Sequence, residues 1–310
     1  MRTVAARWQL GLALAGLTAL LWGVLPLVLA ITLDRLDAVS ITASRFAVAA
    51  ALLFAWLLRH DRLPRLAGID RRTALTLSAA TAGLLGNYVF YALGLAATSP
   101  SVAQVVIQVA PLLLLLSGVF LLHERFSRLQ WLGFAVLVGG LALFFNRRLP
   151  ELLRPDAGLG LGVALLLVSA VAWAAYGVAQ KRLLSALDPM QVLLLVFAAA
   201  AAVLAPFTDL RGVLALDPVG AVALVLAGVN TAVAYVCFAR ALDYWDVSRV
   251  SAVVSTAPLA TLAAMWAAGR WLPGLVEPES LTWASVSGAL CVVAGSTLSA
   301  LGSRPPPARR

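Results

Sequence analysis

Charge is scarce in this chain and, with Arg45 as the exception, lies between or at the ends of long apolar runs. Only 12% of the 310 residues are charged, about half the share of an average soluble domain. The hydrophobic content of 62% and mean hydropathy of +0.95 exclude a soluble globular protein. Lysine occurs once, at Lys181, so the net charge of +9 rests on arginine. Distributed beside apolar runs, these charges orient the chain in a bilayer and form no nucleic-acid patch.

Other absences narrow the chemistry. All fourteen acidic residues and both histidines, His60 and His123, fall in loops or at the ends of runs. The interior therefore lacks the members of a usual proton relay, and an intramembrane hydrolase lacks its His or metal cluster. Facilitated diffusion or exchange is the simplest expectation, with coupling through a peripheral carboxylate such as Glu124 left open. Cys237 and Cys291 both sit inside apolar runs, where small buried hydrophobes are expected, so no disulfide framework, metal site or cofactor follows. The GLGLG at 158–162 precedes a hydrophobic run with no strand before it, which argues against phosphate binding.

What the chain has is hydrocarbon. Apolar runs long enough to cross about 30 Å predict helices at 8–31, 38–59, 72–96, 100–123, 127–146, 159–184, 188–206, 217–242, 247–271 and 281–302. The expected fold is an all-α integral membrane protein of ten transmembrane helices. The N-terminal run is too long for a signal peptide and reads as the first helix. Loops are short, and the basic tail 304–310 is expected to be disordered.

A pattern is written twice. Ser101, Gln104, Gln108 and Pro111 share one helical face, and Ser248, Ser251, Ser255 and Pro258 repeat their spacing 147 residues later. Trp22 recurs as Trp173, Asp37 as Asp188 and Phe46 as Phe197 at an offset of 151, and Tyr88 recurs as Tyr235 at 147. Gly133 and Gly140 recur as Gly288 and Gly295 at 155. Residues 1–150 and 151–303 are thus expected to form two five-helix repeats. An odd number of crossings inverts the second repeat relative to the first, an arrangement typical of secondary transporters with a site between the halves. Sixteen positive residues on the side of both termini against six on the other predict cytoplasmic termini.

Leu21-Trp22-Gly23, Arg45-Phe46, the tyrosines of the third helix, Pro111 followed by Glu124, and the glycines of the fifth helix together resemble the EamA-type repeat of the drug/metabolite transporter superfamily. The second half departs from it, with Trp271 matching Glu124 and Val196 matching Arg45. This resemblance implies a bacterial inner-membrane exporter of small metabolites, amino acids and aromatic amino acids among them.

Polar side chains in membrane helices face a cavity, a partner or the interface. The candidate path-lining residues are Thr18, Trp22, Asn87, Tyr88, Tyr91, Ser101, Gln104, Gln108, Ser169, Trp173, Tyr176, Tyr235, Ser251 and Ser255. The alternative for the deep aromatics is ordinary packing, and for Gln104 and Gln108 it is structural bonding between helices. Two amides on one face can donate to a carboxylate and accept from an ammonium, as a zwitterion requires. Pro111 and Pro258 bend their helices and are candidate hinges, though a fixed kink reads the same way. Arg45, about 10 Å into its helix, either snorkels to the headgroups and clamps helix ends or attracts an anion. Helices five and ten, with their repeated glycines, read as packing or subunit-contact elements.

The reading is a secondary transporter, not an enzyme, moving a small-molecule substrate, an amino acid or related metabolite, by alternating access. Its partners are that substrate and membrane lipid, with no nucleic acid, as a monomer or weak homodimer. The rivals are a lipophilic-cation or drug exporter, a membrane-integral lipid-handling enzyme and a non-transporting assembly subunit.

Overall fold

A computed structural model describes residues 2–65, 69–113, 127–145, 158–245, 247–272, 274 and 282–301, with the side chains of 2–7 and 247–249 left aside. Every described element is helical. In chain order these are α1 (Arg2–Leu33), α2 (Ala38–Arg59), α3 (Arg71–Ala96), α4 (Pro100–Leu113), α5 (Arg128–Phe144), α6 (Leu159–Leu183), α7 (Pro189–Leu204) and α8 (Pro218–Ala241). They are followed by α9, in two parts (Val247–Val254 and Ala257–Trp271), and α10 (Trp283–Leu301). A short helix, Leu210–Leu214, precedes α8 and was not expected from the sequence. Eight helices are long and apolar enough to cross a membrane, and the described parts of α4 and α5 are shorter. Glu124 and His123 lie outside the described residues, as does the 304–310 tail.

The scarce acids explain where the helices begin. Asp37, Asp70, Asp188 and Asp217 are the N-caps of α2, α3, α7 and α8, and Asp209 caps the short helix. Each carboxylate accepts from backbone N–H groups that would otherwise be orphaned, worth about 1 kcal/mol apiece. Two of them also carry ion pairs that join the halves of the chain. Arg35, after α1, meets Asp217 at 2.9 Å, and Arg62, after α2, meets Asp188 at 2.8 Å.

Packing follows a reciprocal scheme. The main neighbours are α1 with α8, α2 with α7, α3 with α6, and α5 with α10. Secondary neighbours also come in matched sets: α2 with α8 answers α3 with α7, and α1 with α9 answers α4 with α6. Phe46 and Phe197 stack across the α2–α7 contact with ring centroids 5.6 Å apart. Tyr88 flanks Phe46 at 4.5 Å and Tyr235 flanks Phe197 at 5.6 Å.

Helices α5 and α10 touch backbone to backbone. A Cβ on Gly140 would lie 2.7 Å from Val292 N, and one on Gly295 would lie 2.6 Å from Gly133 O. Only glycine allows that approach, so dispersion between close backbones holds this pair. The repeated glycines expected to mark packing surfaces therefore meet inside one chain.

Helices α4 and α9 are broken at matching places. Pro111 has no N–H to offer Ile107 O, which instead accepts from Ala110 N at 2.9 Å. The helix loosens into a turn at Ile107–Gln108. In α9 the turn falls at Ser255–Thr256, three residues before Pro258, with Thr256 N bonded to Val253 O at 3.0 Å.

Candidate functional site

Between the two halves lies a cavity of about 250 Å³, lined by residues of α1, α2, α3, α4, α6, α8, α9 and α10. Both helix breaks open onto it, through Ile107 and Gln108 on one side and Ser255 on the other. Six aromatic side chains stand in its walls: Trp22, Tyr88, Tyr91, Trp173, Tyr235 and Phe238. Trp22 stands edge-on to Tyr235, with centroids 5.5 Å apart.

Polar groups enter this shell at few points. Tyr91 Oη donates to Gln104 Oε1 at 3.3 Å. Ser255 Oγ donates to Ser251 O at 2.7 Å and lies 3.0 Å from Ser296 Oγ. Gln108 is only 5% exposed, and its amide makes no hydrogen bond to any described residue. A buried primary amide facing open space with no partner among the described residues is poised for a ligand or water, because leaving it unmet costs roughly 1–3 kcal/mol.

Eleven of the sixteen candidate residues line the cavity: Trp22, Asn87, Tyr88, Tyr91, Gln104, Gln108, Pro111, Trp173, Tyr235, Ser251 and Ser255. Five do not. Thr18 is fully buried and turns its hydroxyl back to Leu14 O at 2.9 Å. Ser169, its counterpart, is bonded instead to Asn87 of α3. Tyr176 is 2% exposed and belongs to the apolar core cluster that also contains Leu84 and Phe197. Ser101 is buried in the first turn of α4, and Pro258 is buried at the start of the second part of α9.

Sequence reasoning also left residues out. Helix α10, expected only to pack, contributes Ser296, Ser299 and Ala300 to the lining. The signal available was a pair of serines at i and i+3 near its end, obscured by the glycines. Arg45 does not snorkel. It is 2% exposed, lines the cavity, and donates from Nε and Nη2 to Thr231 Oγ1 at 3.2 and 3.1 Å. Its guanidinium lies 4.5 Å from the Tyr88 ring centre. Cys291, expected to be buried, is half-buried.

The first helix is positioned by its own backbone carbonyls. Asn230 Nδ2 of α8 donates to Leu21 O at 2.8 Å, and Thr261 Oγ1 of α9 donates to Gly23 O at 2.6 Å. A side chain at Gly23 would collide with Ala257 O and Ala260, so glycine admits α9 there. Trp22, between these two anchors, is turned to the cavity. Among the described residues no three His, Cys, Asp or Glu side chains gather in a way that would hold a metal.

The profile of the EamA-like transporter family matches residues 9–146 and again 160–301. The chain belongs to that family. An uncharacterized transporter of Haemophilus influenzae is 34% identical over 95% of this chain and 96% of its own. The uncharacterized inner membrane transporter YhbE of Escherichia coli K12 is 33% identical over 95% of this chain and 92% of its own. One crystal structure matches the EamA fold described here with a TM-score of 0.61 at 21% identity, covering 93% of this chain and 96% of the other, a likeness of fold alone. Eight apolar spans and EamA membership make this a multi-pass inner-membrane protein. They point to a transporter rather than an enzyme.

Proposed function

We propose that this EamA-family chain is a secondary transporter that exports a small metabolite, in particular amino acids, by alternating access. The observation that carries the reading is the cavity between the halves, walled by counterparts from each: Trp22 and Trp173, Tyr88 and Tyr235, Gln108 and Ser255. Helices broken at matching positions beside a central site are a recurrent transporter device. The volume of about 250 Å³ suits a small metabolite and falls below the usual range for drug-sized ligands.

Ten crossings in two inverted repeats complete the proposal. The reciprocal packing of α1 with α8 and α3 with α6 supports it, as does the family profile matching twice. At 17 residues, α5 reaches about 25 Å, nearly the hydrocarbon thickness. The excess of positive charge supports cytoplasmic termini. Because the α5–α10 glycine seam is used within the chain, a monomer is the favoured state. Net direction then follows the substrate gradient, since the described spans carry no carboxylate in their interior.

The test is flux of radiolabelled amino acids into proteoliposomes with and without a pH gradient. Flux of at least one amino acid, insensitive to the gradient, is expected. Gradient-dependent uptake would overturn the uncoupled mechanism, and no flux of any amino acid would overturn the substrate class.

A further inference from the structure

Arg45 is a charge in an environment that ordinarily rejects one. It sits on α2 among apolar neighbours, 2% exposed, and borders the cavity. A guanidinium in a membrane interior pairs with an acid or faces a polar site. The described residues hold three ion pairs, Arg35–Asp217, Arg62–Asp188 and Arg240–Asp243, and none involves Arg45. Of its five N–H donors, the two that are spoken for converge on the single Thr231 oxygen. That hydroxyl gives its own proton to Ala227 O at 2.8 Å, so both Arg45 contacts fall on its lone pairs. Tyr88 supports the planar face of the cation.

We propose that Arg45 is the anion-binding group of this cavity and that it receives the carboxylate of the transported molecule. The inference rests on the transport reading and names what its substrate must carry. Thr231 and Tyr88 hold the guanidinium in one orientation, so its remaining donors are preorganised for a planar two-oxygen acceptor. The second half of the chain has Val196 at the corresponding position, so the cavity has one anion-binding end. Gln108, whose amide has no partner among the described residues, lines the same space and supplies a further donor. The aromatic wall of Trp22, Trp173 and Tyr235 receives the rest of the solute.

Matched ligands test this on the wild-type protein without any substitution. Purified protein in detergent is titrated with phenylalanine, 3-phenylpropionate, phenethylamine and phenylalanine methyl ester, following the total intrinsic tryptophan fluorescence and the thermal midpoint. The two free carboxylates are expected to bind at least tenfold more tightly than the amine and the ester. Equal binding of amine or ester, or no binding of either acid at millimolar concentration, overturns the proposal. Arg45→Gln, if monodisperse, is expected to lose the preference for acids, and retention of that preference also overturns it. The two readings fail separately. Acids that bind while no amino acid moves in liposomes leave the anion site standing without the transport role. Flux of amino acids that phenethylamine inhibits as well as 3-phenylpropionate does leaves transport standing without the anion site.

Discussion

Asn87 and Ser169 bond to each other in both directions: Asn87 Nδ2 donates to Ser169 Oγ at 2.8 Å, and Ser169 Oγ donates to Asn87 O at 2.9 Å. Two helices are thereby latched beside the cavity, with Asn87 on its wall and Ser169 behind it. Ser169→Ala removes both bonds made by the hydroxyl and leaves Asn87 Nδ2 only its bond to Ser169 O at 3.1 Å. We expect a loss of about 1 kcal/mol of stability, seen as a lower thermal midpoint, with flux per folded molecule within twofold of wild type.

Gln108 presents the opposite case, because no described residue holds its amide. Gln108→Ala is expected to leave the thermal midpoint nearly unchanged while lowering flux about tenfold, the factor that 1.4 kcal/mol represents. Unchanged flux would remove Gln108 from the site.

Pro111→Ala and Pro258→Ala restore the missing N–H groups and allow α4 and α9 to run on as regular helices. Stability is expected to hold or rise, and flux to fall at least fivefold, if the two breaks are needed to form the cavity. Full activity in both variants would show that the breaks are dispensable.

Gly140→Ala tests the close backbone seam. Its Cβ would sit 2.7 Å from Val292 N, a backbone atom that yields only if α5 and α10 separate. A destabilisation of about 1–3 kcal/mol is expected. An unchanged midpoint would show that the helices part at no cost.

Asp217 gives a pH signature. The Gly220 N–H, and after it the Arg35 guanidinium, favour the ionised carboxylate and hold it below the usual range. A depressed folded value contributes stability that is fully present above the unfolded value near pH 4 and is lost as pH falls through the folded one. The thermal midpoint should therefore drop on acidification below about pH 4. Asp217→Asn should flatten that limb, and a limb unchanged by the substitution would assign it to other acids.

The helices were legible because apolar length is written directly into the chain. Predicted limits of 38–59 and 72–96 became Ala38–Arg59 and Arg71–Ala96, and the capping aspartates would have fixed those starts more sharply still. The faces of the helices were less legible. In water an apolar stripe points inward, but beside lipid both sides of a helix are apolar and the periodicity falls silent. Polar residues then carry the information, and they found Trp22, Gln104, Gln108 and Ser255. Thr18 misled because its hydroxyl is satisfied within its own helix, an option open to any serine or threonine and invisible in spacing. Arg45 could be placed in depth but not in direction, since the buried and the exposed residues of α2 are alike mostly apolar.

The exchange of partners between halves bears on how the chain is made. Helix α1 packs on α8, α2 on α7, α3 on α6 and α5 on α10. Synthesis proceeds from the N-terminus, so α1, α2, α3 and α5 are made before the helices they pack against exist. During that interval Arg45 has no Thr231 and Asn87 has no Ser169 to bond. Assembly is then a closing step that waits on the last helices, because Gly133 and Gly140 meet no partner until α10 emerges.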